Sequence, residues 1–219
     1  MNQPNKVLVS VLMAVFNTPF DLVKRAIESV LCQDFQDFEL IIIDDGSDEE
    51  LGMQILHYIQ AHHPKITYIW HENRGQSQSI NKGVKISNGA YIAIIDSDDE
   101  YKPHHLSSCL NEVPQSDLIS SFTETIVNKE EDYYVPDRHN HQNSIHVDDC
   151  ILFATLFGRK EVFQRLSFKN MYAADADFYD QAMVHYRVKK VDMRTYVYYR
   201  NSANSITTNL KRKQLEYAD

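Results

Sequence analysis

The 219-residue sequence is poor in cysteine, in long apolar runs and in excess positive charge. Its three cysteines, Cys32, Cys109 and Cys150, are odd in number and form no Cys-x-x-Cys pair. That argues against a disulfide scaffold and reads as free thiols in a reducing cytoplasm. The apolar run Val7 to Phe16 is too short to span a bilayer. It also makes a poor signal-peptide core, because only Lys6 precedes it and Asn17 follows where small residues are expected. No other stretch approaches spanning length, so the chain reads as soluble or peripheral at a membrane surface. A formal net charge of −9 argues against a nucleic-acid binder, which shows a basic face. Internal repeats, low-complexity tracts and an interdomain linker are also missing. A single domain over 1–219 is therefore expected, with 43% hydrophobic and 24% charged residues placing it among globular chains.

What is present is an alternation of strand and helix signals. Leu8 to Ala14, Glu39 to Asp44 and Ile66 to Trp70 read as strands, and so does Tyr91 to Ile95. Between them, Asp21 to Leu31 places Leu22, Ala26, Ile27, Val30 and Leu31 on one helical face, with Asp21 as a candidate N-cap. Glu49 to His62 forms a second helix stopped near Pro64. Ser77 to Ser87 forms a third, with Ile80, Val84 and Ile86 inward and Asn88-Gly89 as its C-cap and turn. Such alternation predicts right-handed βαβ units and a parallel sheet with both faces covered. The second half is less regular. Leu118 to Val127, Asp132 to Val135, Ile151 to Arg159 and Thr195 to Arg200 read as strands, with an acidic turn at Asn128 to Glu131. Short helices are expected at Lys160 to Leu166 and Asp177 to Tyr186, and a frayed one at Asn209 to Asp219.

Two strands end in acids. Leu40-Ile41-Ile42-Ile43 runs into Asp44-Asp45-Gly46-Ser47, and Tyr91-Ile92-Ala93-Ile94-Ile95 runs into Asp96-Ser97-Asp98-Asp99. Strand interiors disfavour Asp, so these acids belong at the carboxyl ends, where open α/β sheets bind ligands. In a parallel sheet those ends share one edge, so Asp44, Asp45, Asp96 and Asp98 are expected to converge. Crowded carboxylates repel one another, and their hard oxygens suit Mg²⁺ or Mn²⁺. In an acidic protein a cation would also bridge such acids to a phosphate-bearing substrate.

Beyond these, Val9 to Asn17, Gln33 to Ser47, Asn73-Arg74-Gly75, Asn81-Lys82-Gly83 and Gly89-Ala90-Tyr91 follow one another in a familiar order and spacing. With Asp96 to Asp99, Asp175-Ala176-Asp177, Tyr199-Arg200 and Ser205-Ile206, the sequence resembles the family-2 inverting glycosyltransferases over about residues 8 to 206. The resemblance implies the GT-A fold, a Rossmann-like, mostly parallel sheet with helices on both faces and a smaller acceptor-side sheet. It implies a nucleotide-sugar donor, with UDP favoured, and a hexosyl or N-acetylhexosaminyl group passed to a glycan or lipid-linked acceptor. A donor half at about 1–100 and an acceptor half at about 101–219 follow from it. So do a cytoplasmic location, with peripheral contact at the inner membrane face, and a role in surface-glycan synthesis.

The same resemblance distributes roles. Phe16 and Asn17 would meet the donor, with Phe16 facing the base, and Asp45 would accept from uracil N3–H. Arg74 would reach the diphosphate, Asp96 and Ser97 the ribose side, and Asp98 with Asp96 the Mn²⁺ or Mg²⁺. Asp175 would be the general base, with Asp177 as runner-up, taking the acceptor hydroxyl proton on the sugar face opposite the leaving group. Plainer readings exist for several: a core aromatic for Phe16, a turn former for Asp45, a solvated loop residue for Arg74, a helix cap for Asp175 and a cap before Pro103 for Asp99.

The sequence departs from the family pattern at Ala14, Ile80 and Ala174, and at Asn201-Ser202, where a His often follows Tyr-Arg. Two alternatives keep part of the chemistry. One is a catalytically inactive nucleotide-binding subunit of the same fold. The other is a receiver-type signalling module with Asp and Mg²⁺, which would be much shorter and need a late-strand Lys. His139, His141 and His146 lie at no zinc-ligand spacing and read as part of an acceptor-side loop over Pro136 to Asp149.

Overall fold

The computed structural model describes residues 7–60, 64–140 and 142–201. In chain order the elements are β1 (Val9–Val15), α1 (Phe20–Leu31), β2 (Phe38–Asp44), α2 (Glu49–Gln60), β3 (Ile66–Trp70), α3 (Gln76–Ile86), β4 (Tyr91–Asp96) and β5 (Glu100–Tyr101). They continue with α4 (His105–Glu112), β6 (Leu118–Ile126), β7 (Tyr134–Pro136), β8 (Ser144–His146), β9 (Leu156–Arg159), α5 (Lys160–Leu166), α6 (Ala174–His185) and β10 (Val188–Tyr199). An eight-stranded sheet runs β3-β2-β1-β4-β9-β6-β10-β5, and β7 and β8 make a separate two-stranded sheet. Strands β1 to β4 are parallel, β9 is antiparallel to both neighbours, β6 and β10 are parallel, and β5 is antiparallel to β10. This is the α/β GT-A architecture that the sequence led us to expect.

The apolar runs of β1, β2 and β4 are continuous because the sheet is covered on both sides. Val9, Val11, Met13 and Val15, with Phe38, Leu40, Ile42, Ala93 and Ile95, pack in one core with α1 and α2. Their alternates Leu12, Ile41, Ile43, Ile92 and Ile94 pack in a second core with α3, α5 and α6. Ile80, where the family often carries a base, is fully buried in that second core.

Several local expectations are corrected. Asp21 caps nothing: Pro19 holds the cap position of α1, and Asp21 lies in the first turn, where its charge suits the helix dipole. Ile86 ends α3 exposed, and Ser87, not Asn88-Gly89, closes the helix. Gly89 is needed for another reason, since a Cβ there would stand 2.5 Å from the Ser10 nitrogen. Asp132 and Tyr133 belong to a 3₁₀ turn before β7, Phe153–Thr155 forms another before β9, and β10 starts seven residues ahead of Thr195, at Val188. The Pro136–Asp149 stretch is partly ordered by β8 and a turn at Val147–Asp149. Elements β5 and α4 carried no sequence signal. His62, His63, His141, Ser202, Ser205-Ile206 and the Asn209–Asp219 helix lie outside the described residues. Cys32, Cys109 and Cys150 are free thiols. Among the described residues no helix is long and apolar enough to cross a membrane.

Candidate active site

Three acids from β4, its exit turn and α6 lie in one neighbourhood at the carboxyl edge of the sheet. Asp96 ends β4 on the face carried by Ile92 and Ile94, toward α3 and α6. Its carboxylate accepts from Gln76 Nε2 at 2.7 Å. Burial pushes its pKa up to about 7, and the charges of Asp98 and Asp175 add to the rise. Burial also raises Asp98, against the pull of Arg25. Asp175 is held up to about 6 by burial, although it accepts from Ala176 N at 2.8 Å and Phe153 N at 3.1 Å. It stands in the first turn of α6, after Ala173 in the left-handed region at φ 53°. Its bond to Phe153 N, far along the chain, goes beyond a simple cap.

Asp99 has a structural role, not the cap expected before Pro103. It is buried, accepts from Tyr196 Oη at 2.6 Å and Tyr199 N at 2.8 Å, and thereby anchors the acidic turn to β10. Burial, then Asp96 and Asp98, lift its pKa well above the usual carboxylate range. Ser97 is buried and shares a 2.7 Å hydrogen bond with Thr18.

Asp44 does not join this group. Parallel register sets Ala14 beside both Asp96 and Ile43, so Asp44 lies one residue further on, beside Val15. Side chains alternate across a strand, and the one-residue step turns Asp44 to the opposite face. There it accepts from Tyr68 Oη at 2.6 Å and Ser47 N at 2.8 Å. Asp45 lies in the loop beyond, accepting from Arg74 N and Gly75 N at 2.9 Å each. Gly46 lets that loop close: it sits at φ 84°, and a Cβ would fall 2.6 Å from Asn73 N.

Phe16 is 52% exposed, which removes the core-aromatic reading. Asn17 adopts φ 49°, and its side chain accepts from Asp48 N while its own N–H donates to Ser47 Oγ, each at 3.0 Å. The Arg74 side chain is exposed. Asp177 pairs with Lys169 at 3.0 Å and accepts from Gln181 at 2.5 Å. Gln76, Thr18, Tyr196 and Arg138, whose charge lowers Asp175 while it pairs with Asp180 at 2.6 Å, escaped the sequence reading. Their partners are far away in sequence, and no local pattern marks them.

Among the described residues no group of three or more His, Cys, Asp or Glu side chains could by itself hold a metal ion. Asp96 and Asp98 offer hard oxygens burdened by burial and like charge, a donor set that suits Mn²⁺ or Mg²⁺ completed by phosphate oxygens and water. The His139 and His146 stretch forms no such group either.

The sequence matches the family described as Glycosyl transferase family 2 over residues 10–171. The chain belongs to that family. A putative colanic acid biosynthesis glycosyl transferase, WcaA of Escherichia coli strain K12, is 40% identical over 105 residues, which is 47% of this chain and 37% of that protein. The structure of S. aureus TarS 1-349 in complex with UDP-GlcNAc superposes with a TM-score of 0.70 at 18% identity, covering 92% of this chain and 60% of that one. The mannosyltransferase PcManGT from Pyrobaculum calidifontis, in complex with GDP-Man and Mn²⁺, gives 0.70 at 16% identity, covering 94% and 60%. These two likenesses establish the fold. The chain thus spans little more than a third of the curated relative and about three fifths of the solved chains.

Proposed function

We propose that this chain is an inverting glycosyltransferase module moving a hexosyl or N-acetylhexosaminyl group from a nucleotide sugar, with UDP favoured, to a hydroxyl of a glycan or lipid-linked acceptor. The observation that carries the reading is that Asp96 feels the negative charge of both Asp98 and Asp175, the latter held by the backbone of Phe153. An acid that must take a proton, delivered by α6, lies near two acids from β4 and its exit turn that suit a cation. The chain belongs to a family of glycosyltransferases, and neighbours of the same fold bind UDP-GlcNAc or GDP-Man with Mn²⁺.

In this reading Phe16 offers its exposed ring to the base, and Asp45, which accepts from two backbone N–H groups and has His71 Nδ1 3.6 Å away, offers a remaining lone pair to a base N–H. Asn17, Arg74, Asp96 and Ser97 line the ribose and diphosphate side. Asp98 and Asp96 hold Mn²⁺ or Mg²⁺, which when bound stabilises negative charge on the departing nucleoside diphosphate. Asp175 accepts the acceptor hydroxyl proton as that oxygen attacks the anomeric carbon and the glycosidic bond to the diphosphate breaks. Its pKa near 6 leaves it mostly ionised at neutral pH yet basic enough to take the proton. Asp177, tied to Lys169 and Gln181, is the poorer base.

Residues up to about 100 form the donor half and those from about 101 the acceptor half. The setting is the cytoplasm, at the inner membrane face where the acceptor is lipid-linked. The test is a thermal-shift panel of nucleotide sugars with and without Mn²⁺, followed by nucleoside diphosphate release. Selective, Mn²⁺-dependent stabilisation by one donor names it through binding linkage. Binding without any release by wild type would instead leave an inactive nucleotide-binding subunit.

A further inference from the structure

Helix α1 carries Arg25 and Ser29 four residues apart on one face, and Gln33 continues the line just past its end. Each of the three grips the backbone of the segment leaving the acids. Arg25 Nη2 donates to the carbonyl of Asp98. Ser29 Oγ accepts from Tyr101 N at 3.1 Å. Gln33 donates to Lys102 O at 2.8 Å and accepts from Leu106 N at 2.9 Å. The first helix of the chain is thus a template on which residues 98–106 are laid.

Arg25 stands at the end of that row nearest the acids and is itself fixed from two sides. Its guanidinium pairs with Glu100 at 2.9 Å and stacks over the Tyr199 ring at 3.9 Å. Tyr199 in turn donates to Glu100 at 2.8 Å, and its backbone N–H donates to Asp99. A planar, five-donor guanidinium serves a carbonyl, a carboxylate and an aromatic face together, which an ammonium does not.

We infer that Arg25 is a positioning residue for the cation. By pinning the Asp98 carbonyl it fixes the backbone from which the Asp98 carboxylate projects. Ser29 and Gln33, further along the row, hold the fold of the segment without setting metal affinity. The inference rests on the metal role proposed above for Asp98. It differs from that role in naming a residue that acts through the Asp98 backbone and not as a ligand, and groups that orient ligands typically alter metal affinity about 10–100-fold.

The test is calorimetric titration of UDP into the full chain, with and without Mn²⁺, alongside thermal denaturation. Arg25→Met is expected to weaken the Mn²⁺-dependent UDP affinity about tenfold while leaving metal-free UDP affinity unchanged. Arg25→Lys, which keeps the charge, is expected to fall between it and wild type. Gln33→Ala is expected to lower Tm and leave the Mn²⁺-dependent affinity within about twofold, since Gln33 acts on backbone away from the ligand atoms. Unchanged Mn²⁺-dependent affinity in Arg25→Met overturns the inference. So does a loss in Gln33→Ala as large as in Arg25→Met, because the row would then act only through general stability. Should Arg25→Met not fold, Arg25→Lys decides: a roughly threefold or greater loss supports positioning, and wild-type affinity overturns it. Wild type showing no Mn²⁺ effect on UDP would be a different failure, that of the metal site itself.

Discussion

The ends of β2 and β4 carry the same chemistry in sequence and put it to different uses. At the end of β2, Asp44 takes hydrogen bonds from Tyr68 and Ser47, while Asp45 takes two from the loop between β3 and α3. Protein donors meet both acids, and Asp44 is spent on holding the loop in shape. At the end of β4, Asp96 has one side-chain donor, and Asp98 has Arg25 at its carbonyl, with burial raising both. A half-buried acid with few donors and acidic neighbours costs free energy unless a ligand compensates it. The contrast teaches that acids at a sheet edge are told apart by who already satisfies them.

The largest effect should come from the acid that α6 brings to the β4 group. Asp175→Asn is expected to lower the transfer rate about 10²–10⁴-fold while UDP affinity stays near wild type. Full activity in that variant would move the base to Asp177. Asp98→Ala should cut transfer on the order of 10²–10³-fold and abolish the Mn²⁺ contribution to UDP binding, measured by calorimetry. Retained Mn²⁺ dependence would break the distinction between the two strand ends from the β4 side.

A pH profile sharpens it further. As the proposed base, Asp175 must be ionised to act, so transfer should climb about tenfold per pH unit and level off above about pH 6. Its folded pKa lies above the ordinary carboxylate value of 3.8, so the stability tied to its protonated form is full below 3.8 and lost as pH rises through about 6. Asp175→Asn should therefore be more stable than wild type at pH 7.5, by about 1 kcal/mol or roughly 2–4 °C in Tm. That advantage should vanish near pH 3.5.

On the β2 side the readout should be stability, not metal. Asp44→Ala leaves Tyr68 Oη and Ser47 N–H without their partner and is expected to cost about 2 kcal/mol, with Mn²⁺-dependent UDP affinity unchanged once folded. A lost Mn²⁺ dependence there would erase the contrast. Tyr68→Phe, removing one hydroxyl, should cost only about 1 kcal/mol in urea denaturation.

Much of the first half was legible because its strands and helices obey short periods. Ile66–Trp70 and the Lys160–Leu166 helix have the bounds the pattern indicates, and β1, β2 and β4 announce themselves as apolar runs buried on both faces. The family, the fold and the acids at two strand ends follow from residues read in order. Which acids meet does not. Asp44 was expected beside Asp96, and a single residue of register carried it to the other face. Asp99 looked like a cap, and its partners Tyr196 and Tyr199 lie about a hundred positions away on β10. Gln76, Arg138 and the grip of Arg25 on the Asp98 carbonyl likewise depend on contacts between distant segments. The sequence alone determined the local elements and the chemistry on offer, because periodicity and turn residues act within a few positions. Register and packing between elements decided which carboxylates share a site, because those are set only when separate strands and helices come together.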